Sequence, residues 1–359
     1  MQALQSYLDR MGSNFLTASL IPSLGFVTLS MLIFQPIMPQ GLITRLGGTF
    51  NPLSASGLLA LLLTIVLGFT LTSLNTFVMK FFEGYVFFKR FKFMIVKHQK
   101  HAKQLLRKRE LIQRKIDRLS ETQTQREQEK LIGLIDQAQL LDTYFQANFP
   151  YPYNDEDIMP TKFGNIMKAS ETYPMERYNI DGVPLWPRLI NVIPDRYMSF
   201  LDQKNNQLSF LLNCSVLSAL FSVLCLVAAI YQFILAQLTL HNLPSPIYFV
   251  QIDRGIEVYS QRAFLYGAIL LLSLFMAYLF HRASLFIVSE YGDIIRSTYD
   301  LFRFDLLVQL KRKPPKTIIK EREIWNDVCS FLNRGDVGGP YKEFKYYQQT
   351  EVEAKGNSG

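Results

Sequence analysis

The stretch Leu208–Leu240 reads LSFLLNCSVLSALFSVLCLVAAIYQFILAQLTL and contains no charged residue. The hydrocarbon core of a bilayer is about 30 Å thick, and about 20 apolar residues in an α-helix cross it. The stretch is apolar on every side, whereas a surface helix of a soluble protein carries a single apolar stripe. The sequence therefore predicts a membrane-spanning helix here, in preference to a long buried helix of a soluble protein.

Three further apolar segments predict three more spans, which gives four in total. They cover about Phe15–Phe34, Leu58–Met79 and Ala263–Phe280, and the span in the opening stretch covers about 208–236. The first segment is too long for the apolar part of a secretory signal, so we expect it to be retained. The four spans would pair into two transmembrane hairpins, residues 1–80 and residues 208–282.

Basic residues cluster directly after the second span. The segment Lys80–Arg118 carries thirteen lysines and arginines against Glu83, Glu110 and Asp117. Loops rich in lysine and arginine stay on the cytoplasmic side of a membrane. With four spans, both termini and residues 81–207 are then predicted to be cytoplasmic, and two short connections lie outside.

The first part of this basic segment, FFEGYVFFKRFKF, mixes aromatic and basic residues. Such a mixture fits a helix that leaves the membrane at the level of the lipid headgroups. We predict that Lys89, Arg90, Lys92 and Lys97 face anionic lipids of the bilayer. This position accounts for the net charge of +8 without a nucleic-acid partner.

The cytoplasmic insert has two predicted parts. In residues 97–145 apolar residues recur at coiled-coil spacing, which fits two antiparallel helices joined near residues 120–125 or one continuous helix that dimerises across chains. Residues 150–206 are rich in proline and aromatic residues, which predicts a compact unit rather than a linker. Within that unit, Thr161 is the predicted N-terminal cap of a helix.

The remaining segments carry weaker signals. After the fourth span, residues 283–334 predict further cytoplasmic helices. Residues 335–359 are polar and predict a mobile tail. Between the third and fourth spans, the alternation around Asp253–Gly255 predicts a short hairpin on the external side.

Motifs of catalysis are absent from the sequence, which has no GxSxG, P-loop, HExxH or Gly-rich dinucleotide turn. Its three cysteines and four histidines show no metal-ligand spacing, so we expect neither a metal nor a cofactor. The spans lack charged residues near their centres, which argues against an ion-coupled transporter. Asn75 and Asn213 fit either helix–helix packing or the lining of a passive pore.

Polar residues of the insert and of the last long helix predict a shared cluster. Salt bridges between the two regions and a ligand pocket between them are both compatible with these residue types. The cluster comprises Lys162, Glu171, Arg177, Asp181, Trp186, Arg188, Glu290, Asp293, Arg296, Arg303 and Asp305.

Two stretches, PTKFGNIMKASETYPMERYNIDGVPLWPRL and SEYGDIIRSTYDLFRFDLL, resemble uncharacterised multi-pass membrane proteins of bacteria that have no assigned activity. The resemblance covers about residues 160–310. It implies a bacterial inner-membrane location and brings no cofactor or catalytic residue with it.

Together these features predict an all-α integral membrane protein with four transmembrane helices and a cytoplasmic helical, coiled-coil insert. Because the varied sequence lies in the cytoplasmic part, we expect a non-enzymatic, membrane-anchored protein that acts in interaction, sensing or scaffolding. It would be a homo-oligomer or bind a cytoplasmic protein partner. The alternative is a channel subunit gated by the cytoplasmic helices. A third hypothesis, an enzyme that acts on lipid or on a bound nucleotide, has no sequence motif to support it.

Overall fold

The computed structural model describes residues 15–37, 55–86, 92–120, 125–151, 153–240 and 256–334. Within these ranges every regular element is helical and no strand is present, which confirms the predicted all-α class there. The predicted tail at 335–359 and the predicted turn at Asp253–Gly255 lie outside the described residues.

Ten α-helices are found in the described ranges, with a π-helical turn at Leu16–Leu20 directly before the first of them. In chain order they are α1 (Ile21–Phe34), α2 (Ala55–Ser73), α3 (Asn75–Glu83), α4 (Lys92–Leu119), α5 (Gln125–Asn148), α6 (Lys162–Tyr178), α7 (Gly182–Leu189), α8 (Asp195–Leu240), α9 (Ile256–Gln309) and α10 (Ile318–Arg334).

Three helical segments are long and apolar enough to cross a membrane: Leu16–Ile37, α8 and α9. The pair α2 and α3 passes the same test as one broken span that bends by 55°. These segments support a membrane protein with three spans, or four if the bent pair is counted. Because α8 and α9 have 46 and 54 residues, each is more than twice as long as the roughly 20 residues that one crossing requires.

The described helices divide into two compact units. The first unit combines Met1–Met79 with Asn205–Ile287, and the second combines Lys80–Lys204 with Val288–Gly359. The apolar stretch Leu208–Leu240 belongs to the first unit. The helices rich in charged residues, α4, α5 and α10, belong to the second.

Small polar side chains connect the helices of the first unit. The Asn213 amide on α8 donates to the backbone carbonyl of Ala18 at 2.8 Å, and the Thr72 hydroxyl on α2 donates to Ser19 Oγ at 2.9 Å. The Ser215 hydroxyl on α8 donates to the carbonyl of Ala277 on α9 at 3.0 Å. Because these groups bond between neighbouring helices, Asn213 contributes to helix packing in this chain.

In the second unit, α4 and α5 pack as an antiparallel pair. Arg109 on α4 forms a bidentate ion pair with Asp142 on α5, with N–O distances of 3.1 to 3.3 Å. Nearer the start of α4, Ala102 is buried against Phe145 and Phe149. The single-helix alternative for residues 97–145 is therefore not the arrangement found within this chain.

The start of α6 is anchored on the end of α3. The backbone N–H of Gly164 donates to Thr161 Oγ1 at 2.9 Å, so Thr161 is the N-cap of α6. The Thr161 hydroxyl also donates to the backbone carbonyl of Phe82, near the end of α3, at 2.7 Å. Gly164 lies so close to Glu83 that an added Cβ would overlap the Glu83 carbonyl. Only glycine fits this approach.

The main core of the second unit lies among α6, α7, α9 and α10. Trp325 on α10 is fully buried there with Leu185, Leu189 and Leu307, and Trp186 packs against the same cluster. The Tyr299 hydroxyl on α9 donates to the carbonyl of Gly182 at 2.7 Å. This core holds the charged residues described next in fixed positions.

Candidate functional site

A buried ion pair joins Arg303, a member of the predicted polar cluster on α9, to α10. Arg303 Nε donates to Glu321 Oε1 at 2.7 Å, and their side chains are only 15% and 5% exposed. The same guanidinium donates to the backbone carbonyl of Asp300. It also lies over the ring of Tyr178, 4.1 Å from the ring centroid. Arg303 is therefore fully engaged by groups of its own chain.

A second polar centre lies between α6 and α9. The Tyr178 hydroxyl donates to Asp300 Oδ1 at 2.7 Å, and the Tyr173 hydroxyl donates to the same carboxylate at 3.0 Å. Burial and the negative charge of Asp300 raise the pKa of both phenols above the ordinary value. Both tyrosines therefore stay protonated and act as hydrogen-bond donors at neutral pH.

Arg296 forms a third centre on α9. Its guanidinium donates to Asp293 Oδ1 at 2.5 Å and reaches Ser170 Oγ and the carbonyl of Gln146, each at 3.5 Å. Arg296 is almost fully buried, whereas Asp293 is largely exposed. One buried arginine thus bridges α5, α6 and α9.

Three further acidic members of the cluster, Glu171, Asp181 and Glu290, each pair separately with a different residue. Glu290 pairs with Lys204 at 2.6 Å, and Glu171 pairs with Lys168 at 3.4 Å. The Asp181 carboxylate accepts from Asn333, and its backbone N–H lies 3.3 Å from the sulfur of Cys329. Burial raises the pKa of the Cys329 thiol, so this sulfur is protonated at neutral pH.

Among the other predicted members, Arg177 reaches the second centre, where its guanidinium lies over the Tyr173 ring, 5.6 Å from the ring centroid. Trp186 packs on the ring of Tyr299, with the ring centroids 5.9 Å apart. Lys162, Arg177, Arg188 and Asp305 are exposed. The structure therefore divides the predicted cluster into several small groups rather than bringing it to one place.

Two of the four residues predicted to face anionic lipid can be located. Lys92 and Lys97 are exposed on the first turns of α4, next to Phe93, whose side chain is also exposed. Lys89 and Arg90 lie outside the described residues. The two described lysines are free to meet a negatively charged surface.

Sequence reasoning missed the partners that complete these centres. Asp300 and Glu321 accept from Tyr178 and Arg303, and neither acid was in the predicted cluster. Glu321 lies between Lys320 and Arg322, shortly after Ile318 and Ile319. An acid with charged neighbours on both sides is expected to be exposed to solvent. The helical spacing of Glu321, Trp325 and Val328 was the signal that it shares the buried face of α10.

Two concave regions accompany these centres. A cavity of about 300 Å³ lies between α4 and α5, with Leu105, Leu141 and Phe145 as its apolar wall and the Arg109–Asp142 pair at its edge. In the first unit, an apolar groove of about 430 Å³ lies among α1, α8 and α9, beside the exposed Gly25. Both volumes are at the small end of the range of ligand sites.

The polar groups in these centres are satisfied by each other, which is the arrangement of structural ion pairs and hydrogen bonds. Among the residues that the structure describes, no group of three or more His, Cys, Asp and Glu side chains is placed to hold a metal ion. The side chains described in these centres pair with one another through ion pairs, hydrogen bonds and ring contacts.

Comparison of the chain with known protein families, with curated proteins and with solved structures found no match.

Proposed function

We propose that this protein is a membrane-anchored interaction, sensing or scaffold protein that acts through its second unit. The observation that carries the proposal is an exposed stripe on α5. Ile132 and Leu140 on this helix are 60% and 71% exposed, although Phe145 on the opposite side is buried against α4. A helix with apolar residues on two faces has one face left for a partner.

The composition of the spans supports the same function. The apolar stretch Leu208–Leu240 has no charge that could bind an ion or carry a proton. The small polar residues Ser19, Thr72 and Asn213 bond between helices of the first unit. We infer that the spans serve as an anchor, and this uncharged stretch offers no site for an ion-coupled transporter.

The proposed membrane topology follows from the distribution of basic residues. Four spans, with α2 and α3 counted as one broken span, put both termini and the α4–α7 region in the cytoplasm by the positive-inside rule. We place the protein in a bacterial inner membrane, on the resemblance of residues 160–310 to multi-pass proteins of bacteria. Lys92, Phe93 and Lys97 would then lie at the headgroups of anionic lipids.

Site-specific photocrosslinking tests the proposal. A photoreactive amino acid replaces Leu140 in the full-length chain, and it replaces the exposed polar Gln137 on the same helix as a control. In cells that produce the chain, we expect discrete protein adducts in the membrane fraction from position 140 and few from position 137. Equal labelling at both positions would show that the adducts are not specific to the exposed apolar stripe, and no labelling at either would show that no protein covers it. Either result would refute the proposal.

A further inference from the structure

The second unit carries an exposed acidic surface on α5. This acidic stripe consists of Glu129, Ile132, Asp136 and Leu140, all exposed. At about 100° per residue, these four positions fall within an arc of about 80° on one side of the helix. Asp142, which pairs with Arg109 on α4, lies outside that arc. The stripe thus faces away from α4.

The same unit carries a basic surface that runs from the end of α9 through the connection to the first turn of α10. This basic loop consists of Lys311, Lys313, Lys316, Ile318, Ile319 and Lys320, all exposed. Ile318 is 50% exposed and Ile319 is 70% exposed. Glu321 faces inward to Arg303, and the exposed Glu323 lies one helical turn beyond Ile319. The loop is therefore basic at its centre and has one acid at its far edge.

The two surfaces match in chemistry. Each presents two large aliphatic side chains flanked by charges of one sign, acidic on α5 and basic on the loop. Contact between them would bury Ile132 and Leu140 against Ile318 and Ile319, and would place Glu129 and Asp136 opposite lysines. Apolar burial at the centre with complementary charges at the rim is the usual composition of a protein–protein interface.

We infer that the acidic stripe of one copy of this chain binds the basic loop of a second copy. The inference rests on the proposed function, because it names the partner of the α5 surface. A second copy occupies both exposed surfaces at once, whereas an anionic lipid surface would satisfy the loop and be repelled by Glu129 and Asp136. The loop offers no aromatic side chain on which nucleic-acid bases stack.

The symmetry of the assembly follows from this pairing. Two different surfaces meet, so the contact is of the head-to-tail kind, which builds a closed ring or an open chain rather than an isolated dimer. Copies in one bilayer share one orientation relative to the membrane. We therefore expect oligomers larger than two, with an affinity that falls as salt screens the charges.

Charge exchange in the full-length chain tests the pairing. One variant carries Glu129→Lys and Asp136→Lys, a second carries Lys316→Glu and Lys320→Glu, and a third carries all four changes. Energy transfer between two labelled pools in neutral-lipid proteoliposomes measures self-association. We expect each double variant to associate about tenfold more weakly than wild type and the fourfold variant to recover.

Two controls accompany these variants. Lys108→Glu with Lys115→Glu changes the net charge as much as the loop variant does, at exposed positions of α4, and should leave energy transfer unchanged. Mixing the two double variants should restore energy transfer, since the exchanged stripe then meets the exchanged loop. Unfolding followed by tryptophan fluorescence verifies that each variant is folded.

The inference is overturned if the folded fourfold variant stays as weak as the double variants. It is also overturned if the loop variant loses binding to added anionic vesicles while energy transfer is unchanged, because lipid is then the partner of the loop. A monomeric wild-type chain overturns it as well. In that case adducts from position 140 to a different protein would leave the proposed function standing, and an absence of adducts would remove both.

Discussion

The Tyr178 hydroxyl donates a hydrogen bond of 2.7 Å to Asp300, which lies 122 residues later in the chain. This bond joins α6 to α9 and lies beside the ring contact between Tyr178 and Arg303. The Tyr173 hydroxyl uses the same carboxylate. A single acid on α9 therefore orients one face of α6.

Replacing Tyr178 by Phe removes this donor and leaves the ring in place. Hydrogen bonds to charged groups contribute about 1.5–3 kcal/mol, so we expect a loss of about 2 kcal/mol in the free energy of unfolding. Both tryptophans of the chain, Trp186 and Trp325, pack in the core of the second unit, so urea unfolding followed by their fluorescence measures this change. Tyr144→Phe, at an exposed position, should change the same quantity by less than about 0.5 kcal/mol. Equal losses from both variants would contradict the assigned role of Asp300.

Breaking the buried Arg303–Glu321 pair should destabilise the second unit more strongly. Arg303→Met leaves Glu321 buried without its partner, and a loss of about 3–5 kcal/mol is expected for such a pair. Adding Glu321→Leu removes the stranded charge and should recover a large part of the loss. Lys103→Met breaks a pair with Asp155 whose side chains are about half exposed, so it should lower the stability far less than Arg303→Met does. A double variant no more stable than Arg303→Met would show that the stranded charge is not the cause.

Replacement by alanine should change the stability in opposite directions at two helical glycines, Gly164 and Gly133. Gly164→Ala places a Cβ on the carbonyl of Glu83, which belongs to the backbone and cannot rotate away. We expect it to destabilise the second unit by about 1–3 kcal/mol, as overpacking does. Gly133 lies inside α5 with nothing within 4 Å of an added Cβ, so Gly133→Ala should stabilise the chain by about 0.5–1 kcal/mol. Denaturation midpoints of the two variants test this. A midpoint for Gly164→Ala that equals or exceeds that of wild type would contradict the close approach of Gly164 to Glu83.

The stability of the second unit should decrease in mild acid through His98. Burial, followed by the charges of Lys97, His101 and Lys162, lowers the pKa of His98 below its ordinary value of 6.5. The unfolded chain therefore takes up this proton first as the pH falls. The contribution of neutral His98 to the stability of the fold is fully present above the pKa that His98 has in the unfolded chain. It is lost as the pH falls from there through the pKa of His98 in the folded chain.

Denaturation midpoints at about pH 7.5 and about pH 5.5 measure this effect. His98→Gln should reduce the loss of stability between these two pH values. Lys162→Gln should reduce that loss in part, because one positive charge that repels protonated His98 is removed. If wild type and His98→Gln lose the same stability between the two pH values, the loss comes from groups other than His98.

Features that depend on neighbouring residues were readable from the sequence. The absence of charge from Leu208 to Leu240 predicted an apolar helix, and α8 covers that stretch. Thr161 was the predicted N-cap of a helix, and it caps α6. Both features depend on residues within a few positions of each other, where hydropathy and local hydrogen bonds decide the outcome.

The residues that pair with Arg303 in the candidate site could be identified only from the tertiary structure. Arg303 stood out in the sequence, but the acids and phenols around it come from α6 and α10. A charge pattern shows that a residue needs a partner, and it does not show which of many acids will be close. That choice depends on how the helices pack around Trp325 and Leu307.

The sequence by itself determined the helical class, the apolar segments and the separation of charged from uncharged regions, because each follows from the solvation of residues close together in the chain. Only the tertiary structure decided that α4 and α5 fold back on each other, that Asp300 receives two tyrosines and that Glu321 is buried with Arg303. It also decided which apolar residues of α5 stay exposed. Many pairs of residues in this chain have the same chemical types and could form the same long-range contact. Which of these pairs meet depends on how the helices pack.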